Sequence, residues 1–154
     1  MKPNFLMVSF FNERSDSLTL LSVVFLISAY FCSMETLSEQ ELHNIAMNYV
    51  GKELEKQGFE FIAVNSQLKR HPQFVCVDKP TNTLHFVLVT VYSYPENPED
   101  YDVLWMETFK RHAQKLNAKV LYAGVGIANA SDFDKPILKS DDYIINYNGI
   151  KEIS

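Results

Sequence analysis

The sequence predicts an α/β (α+β) fold, a mixed sheet flanked by two helices, carried by residues 34 to 154. Three observations predict it. A helix-start signal at Ser38 opens an amphipathic stretch. Two apolar stretches, Gln73 to Asp78 and Leu84 to Tyr92, face each other across a short turn. A strand, helix, strand succession then has the length that a right-handed parallel crossover requires. The 154-residue chain, with 47% hydrophobic residues, is about one domain's worth and ample for a packed core, which excludes a disordered chain.

Residues 1 to 33 stand apart. Leu18 to Phe31 is an uninterrupted run of apolar and small residues, and the uncharged stretch from Ser17 to Met34 is short of the roughly 20 residues of a spanning helix. An export signal needs a positive leading region and a small-residue cleavage site. Here Glu13 and Asp16 cancel Lys2 and Arg14, only Ser28-Ala29 offers a site, and the bulky Tyr30-Phe31 before Cys32 suits lipid attachment poorly. Three readings stand side by side: a spurious extension ahead of a start at Met34, an uncleaved membrane anchor, and an export signal.

From Met34 onward each element has a local cause. Ser38 and Glu41 form a capping box, in which the hydroxyl and the carboxylate each satisfy a backbone group that the first helical turn leaves free. Leu42, Ile45, Ala46, Tyr49, Val50 and Leu54 recur at helical spacing, and Gly58 ends the helix because glycine accepts the left-handed conformation. Phe59 to Val64 reads as a strand and Asn65 to Pro72 as a polar connection. The turn Lys79-Pro80-Thr81-Asn82 makes a hairpin of the next two strands. The second of these is apolar almost throughout, so it is expected at the centre of the sheet, covered on both faces. Tyr94 to Asp100 is a proline-broken acidic loop whose last carboxylates suit the positive end of the next helix. That helix is expected from Tyr101 to Leu116, packing through Trp105, Phe109, His112 or Ala113, and Leu116. Lys119 to Ile127 is the next buried strand, Asn129 to Asp142 a loop, and Tyr143 to Asn148 an edge strand.

Charge and cysteine content narrow the function classes. The formal charge of −5 disfavours a general nucleic-acid binder, which gains its affinity from lysines and arginines on phosphates. Cys32 and Cys76 are too few for a disulfide framework, a four-cysteine zinc site or an iron–sulfur cluster. A reducing, cytoplasmic compartment is expected, with membrane attachment only if residues 18 to 31 are a genuine anchor.

The order helix, strand, hairpin, helix, strand resembles the PD-(D/E)XK nuclease core, the restriction-endonuclease-like fold of many restriction and Holliday-junction-resolving enzymes. Ala46, Tyr49, Gly58, Phe59, Ile62 and Asn65 follow the first part of the resolvase-like pattern, and Thr83-Leu84-His85-Phe86-Val87 follows its T-L-x-F-V. The resemblance implies metal-dependent cleavage, with an aspartate, a second acid and a lysine at the site. Placed on Phe86-Val87, these three positions hold Val75, Leu88 and Thr90, and Gln73 replaces a glutamate. Magnesium takes hard oxygen ligands, so the expectation is an inactive nuclease fold: no catalytic residues, no metal, no cofactor, and a role as a binding or accessory domain. Asp78 and Glu60 are the candidates for migrated metal ligands, set against a turn aspartate and a solvent-facing strand residue. Residues 34 to 154 also resemble a small bacterial family whose members carry the name of the F component of the sodium-translocating NADH-quinone reductase. That resemblance implies a membrane-associated accessory, although the sequence shows none of that component's iron–sulfur, flavin or NADH modules. A nuclease-type enzyme with a relocated site is the remaining alternative; it requires converging carboxylates or a histidine–carboxylate pair.

Other residues carry weaker signals. Gly124-Val125-Gly126 lacks the third glycine and following helix of a dinucleotide turn, and reads as packing. His43, His71, His85 and His112 are scattered and are expected at the surface or half-buried. Lys110, Arg111 and Lys115 form the basic cluster. Tyr92, Tyr94, Tyr101 and Trp105, with Tyr122, concentrate aromatics of the kind enriched at interfaces. Together these make the expected binding surface, for an unknown protein partner or for self-association as a homodimer.

Overall fold

The computed structural model describes residues 17–154. The leading charges Lys2, Glu13, Arg14 and Asp16, and the side chain of Cys32, lie outside the described residues. The chain forms two units: the described residues up to Glu35 with Leu138–Ser140, and Thr36–Ile137 with Asp141–Ser154.

In the first unit, helix α1 spans Ser17–Ser33. Leu18, Leu21, Val24, Phe25, Leu26 and Phe31 are all exposed, so it has no polar face to set against an apolar one. Among the described residues no helix is long and apolar enough to cross a membrane. Glu35 binds Lys139 through a 2.7 Å ion pair and a backbone hydrogen bond from the Lys139 amide.

The second unit is a six-stranded mixed sheet with a helix on each face. Helix α2 (Glu39–Lys56) starts at the expected capping box: the Ser38 hydroxyl accepts from the Glu41 amide and the Glu41 carboxylate accepts from the Ser38 amide. It stops before Gly58, whose φ of 89° is open only to residues that tolerate the left-handed region. Strands β1 (Phe59–Val64), β2 (Phe74–Asp78) and β3 (Thr83–Ser93) follow, joined as antiparallel neighbours. Asn82 takes φ 53° in the hairpin turn, a conformation that asparagine accepts more readily than most residues. Helix α3 (Val103–Lys115) crosses over to β4 (Ala118–Asn129), which lies parallel to β3 along ten residue pairs. β5 (Tyr143–Asn146) and β6 (Lys151–Ile153) both pair antiparallel with β4, completing the order β1-β2-β3-β4-β5 with β6 beside β4.

Alternation along β3 divides the core. Val87 and Val89 face α2, packing with Ala46, Val50, Leu54, Ala123 and Val125. Phe86 and Leu88 face α3, packing with Met106, Ala113, Val120 and Tyr122. Most of the expected stripes pack as read, Leu42, Ile45, Ala46, Val50 and Leu54 on one face and Trp105, Phe109 and Ala113 on the other, with departures at single positions. α2 buries His43, Ala46, Met47, Val50 and Leu54, while Tyr49 is exposed. α3 buries Met106 and Ala113, whereas Leu116 and His112 are exposed. Met106 and Ala113 pack there with Phe86 and Tyr122 of the sheet. β6 is an addition to the expected elements: the three residues after Gly149 find free backbone groups on the outer side of β4.

Candidate functional site

The three positions that the nuclease resemblance marks lie together. Val75 and Leu88 belong to the cluster under α3 with Phe86, Met106 and Trp105. Thr90, two residues beyond Leu88, points the same way by strand alternation. Leu88 is fully buried, so this face is a packed interior made of carbon at its centre. Among the described residues no three histidine, cysteine, aspartate or glutamate side chains group closely enough to hold a metal ion.

Gln73 is fully buried and has a structural task. β2 ends at Phe74, opposite Val87, so β3 continues beyond it without a strand on that side. The Gln73 side chain takes the place of one: its Oε1 accepts from the Val89 amide at 2.9 Å and from His71 Nδ1 at 2.9 Å, and its Nε2 donates to the Arg70 carbonyl at 3.1 Å. An amide oxygen only accepts, so Nδ1 of His71 carries the hydrogen and the lone pair of the neutral ring lies on Nε2. The Trp105 ring meets His71 edge-on, 4.9 Å between centroids.

Beside this free edge of β3 is a cleft of about 370 Å³. Its polar lining is Glu39 and His43 from α2, Lys69 and His71 from the connection after β1, Thr90 and Ser93 from β3, and Glu96 from the acidic loop. His43 is 1% exposed, and its Nε2 is buried without a hydrogen-bond partner. Burial first, and the nearby His71 second, hold the His43 imidazole below its ordinary value of 6.5. This histidine therefore corrects the surface expectation, as does His85, buried at the Thr83 carbonyl. His71 is half-buried and His112 exposed.

A depressed imidazole pKa means that between the two values the unfolded chain binds more protons than the folded one. The associated stability is full above pH 6.5 and is lost as pH falls below it. Urea unfolding of the protein is expected to show a midpoint that drops from neutral to mildly acid pH, with His43→Leu flattening that drop. Glu39, Glu96, Lys69 and His71 line the same cleft and are common to both proteins, so the difference isolates His43.

The other expected residues are placed as follows. Asp78 accepts from the Thr81 hydroxyl at 2.7 Å within the hairpin turn. Glu60 is exposed and lies 3.8 Å from Lys79. The Tyr92 hydroxyl donates to the Asp100 carbonyl and lies 3.2 Å from that of Tyr122. Tyr101 packs on Tyr122 with ring centroids 4.8 Å apart, and exposed Tyr94 on Phe133 at 5.6 Å. Lys110 pairs with Glu107 at 3.1 Å and donates to the Ser154 carbonyl; Arg111 and Lys115 are exposed. The aromatics are thus divided between the interior and the rim, and the basic residues lie along α3. Cys76 is fully buried, and desolvation pushes its thiol up to about 11, which keeps it protonated and inert. Gly124 lies where the acidic loop crosses β4: a β-carbon there would be 1.7 Å from the Pro98 carbonyl oxygen.

The meeting of His43 with His71 is what sequence reasoning missed. One signal was present, since His43 stands at the position that continues Ala46, Met47, Val50 and Leu54 toward the start of the helix.

Residues 40–153 match a family model described as a domain of unknown function (DUF8840). No curated protein and no solved structure gives a significant match to the chain.

Proposed function

We propose that this chain, which belongs to the DUF8840 family, is a small α/β accessory or binding domain on a restriction-endonuclease-like core that lacks the metal-binding catalytic residues. The observation that carries this reading is the sheet face of Val75 and Leu88, roofed by α3, with Thr90 two residues further along β3 at the cleft. Magnesium requires several hard oxygen ligands, most of them anionic when the protein supplies them. Two aliphatic side chains and one neutral hydroxyl do not fit it, and the closest carboxylate on this hairpin, Asp78, is held in the turn.

A second reading, a nuclease-type enzyme with a relocated site, is favoured by one observation: Glu39, Glu96, His43 and His71 line one cleft next to Thr90. Incubating the pure protein with linear and branched DNA and magnesium or manganese separates the two. The first reading expects no cleavage. Metal-dependent cleavage that disappears in Glu39→Gln or Glu96→Gln would establish the second and end the first.

A further inference from the structure

The cleft beside β3 has a composition that selects its occupant. Glu39 and Glu96 have no ion-pair partner among the described residues, and Lys69 is the one basic side chain facing them. His43 presents a buried nitrogen without a partner, at a residue 1% exposed. His71, with its Nδ1 hydrogen committed to Gln73, offers a lone pair on Nε2. By alternation from Val87 and Val89, Val91 directs its backbone groups to the same uncovered edge. The lining therefore sets two carboxylates and the imidazole lone pairs against a single lysine and carries a net negative charge.

We propose that this cleft binds a small organic cation bearing N–H donors, an alkylammonium or guanidinium compound. An anion is opposed by the two carboxylates, and among the described residues Lys69 is the one lysine or arginine in the lining to offset them. A chelated metal ion lacks three convergent ligands among the described residues. A cavity of about 370 Å³ falls at the small end of the range for small-molecule sites, roughly 300 to 1,000 Å³. An ammonium or guanidinium group satisfies the carboxylates by charge-assisted hydrogen bonds, the stronger kind, and the imidazoles of His71 and, at the buried end, His43 are its further acceptors. The apolar part of such a molecule has Leu42, Leu68 and Val91 to lie against. This inference deepens the reading of the chain as a binding domain and rests on it for biological sense, but its chemistry is independent of the nuclease resemblance.

The test is a titration of the isotopically labelled full-length chain, followed by amide NMR, with methylguanidinium, n-butylammonium, tetramethylammonium and zinc chloride as separate probes. Methylguanidinium or n-butylammonium is expected to give saturating shifts at His43, His71 and Val89 to Val91. Tetramethylammonium, which has the charge but no N–H, is expected to give none. Glu39→Gln combined with Glu96→Gln, both at exposed positions, should weaken binding by about tenfold or more. The proposal is overturned if neither N–H cation saturates by about 20 mM. Shifts spread over all surface acids and unchanged in the double variant overturn it too, as does saturation by zinc alone. DNA cleavage by the protein would remove the non-catalytic reading and leave this titration as it stands.

Discussion

Leu88→Glu is expected to leave the second unit unfolded at neutral pH. Leu88 is fully buried on the sheet face under α3, among Phe86, Met106, Val120 and Tyr122. Removing a buried leucine's contacts costs about 2 to 5 kcal/mol. A carboxylate in the same place adds the cost of taking a charge out of water with no cation beside it, several kcal/mol more. Against a typical total of about 5 to 15 kcal/mol, that sum removes most or all of the stability. Thr90→Lys is the contrasting case: Thr90 borders the cleft and is partly exposed as a residue, although its hydroxyl oxygen is buried without a partner, so a smaller loss than at Leu88, about 1 to 3 kcal/mol, is expected. Circular dichroism during urea unfolding distinguishes the two. Equal tolerance of both substitutions would mean that the face is open and able to accept an acid.

The second large effect is at Gly124. Its added methyl group in Gly124→Ala would stand 1.7 Å from the Pro98 carbonyl oxygen and 2.7 Å from its carbon, separations under the 3.0 Å that real β-carbons keep. Backbone cannot swing aside as the end of a side chain does, so the segment around Pro98 must lift off β4. That movement breaks the Tyr122 hydroxyl bond to the Pro98 carbonyl, 3.1 Å. It also strains the attachment of Glu99 to Lys151 at 2.6 Å and to Asn148 at 2.8 Å, contacts that hold the Glu99 carboxyl below its usual range. Overpacking a rigid site costs typically 1 to 3 kcal/mol, and a loss at or above about 3 kcal/mol is expected here because the obstacle is main chain. The urea midpoint measures it, and amide exchange should report the largest acceleration from Asn97 to Asp100. An unchanged midpoint would show that the loop does not rest on β4.

Local chemistry made much of the fold legible. The Ser38–Glu41 box and Gly58 marked both ends of α2 because caps act within a few residues. The apolar continuity of Phe86 to Val89 marked β3 as central because a strand covered on both faces has no polar positions to alternate. Single positions on the helix stripes were less legible. His43 occupies a core position as a neutral ring, and a histidine on a helix reads as polar. Met106 packs with Phe86 and Tyr122, whereas Leu116, Leu104 and Val103 remain exposed; tertiary packing, not local pattern, decides which apolar positions are covered. For the candidate site, the Thr83 to Val87 stretch singled out Val75, Leu88 and Thr90, and Val75 and Leu88 pack in one cluster under α3. The cleft was not readable: His43 and His71 are far apart in sequence, and they meet because Gln73 folds its amide onto the edge of β3, a long-range bond with no local signature.

The central claim is that the sheet face of Val75 and Leu88 has no grip on a divalent cation. Adding manganese to the labelled protein tests it most directly, since an unpaired-electron ion broadens the amide signals nearest to it. The account predicts that the amides of Val75 and Leu88 keep their intensity while those near exposed acids lose theirs. Selective loss centred on Val75 and Leu88 at low manganese concentration would contradict it.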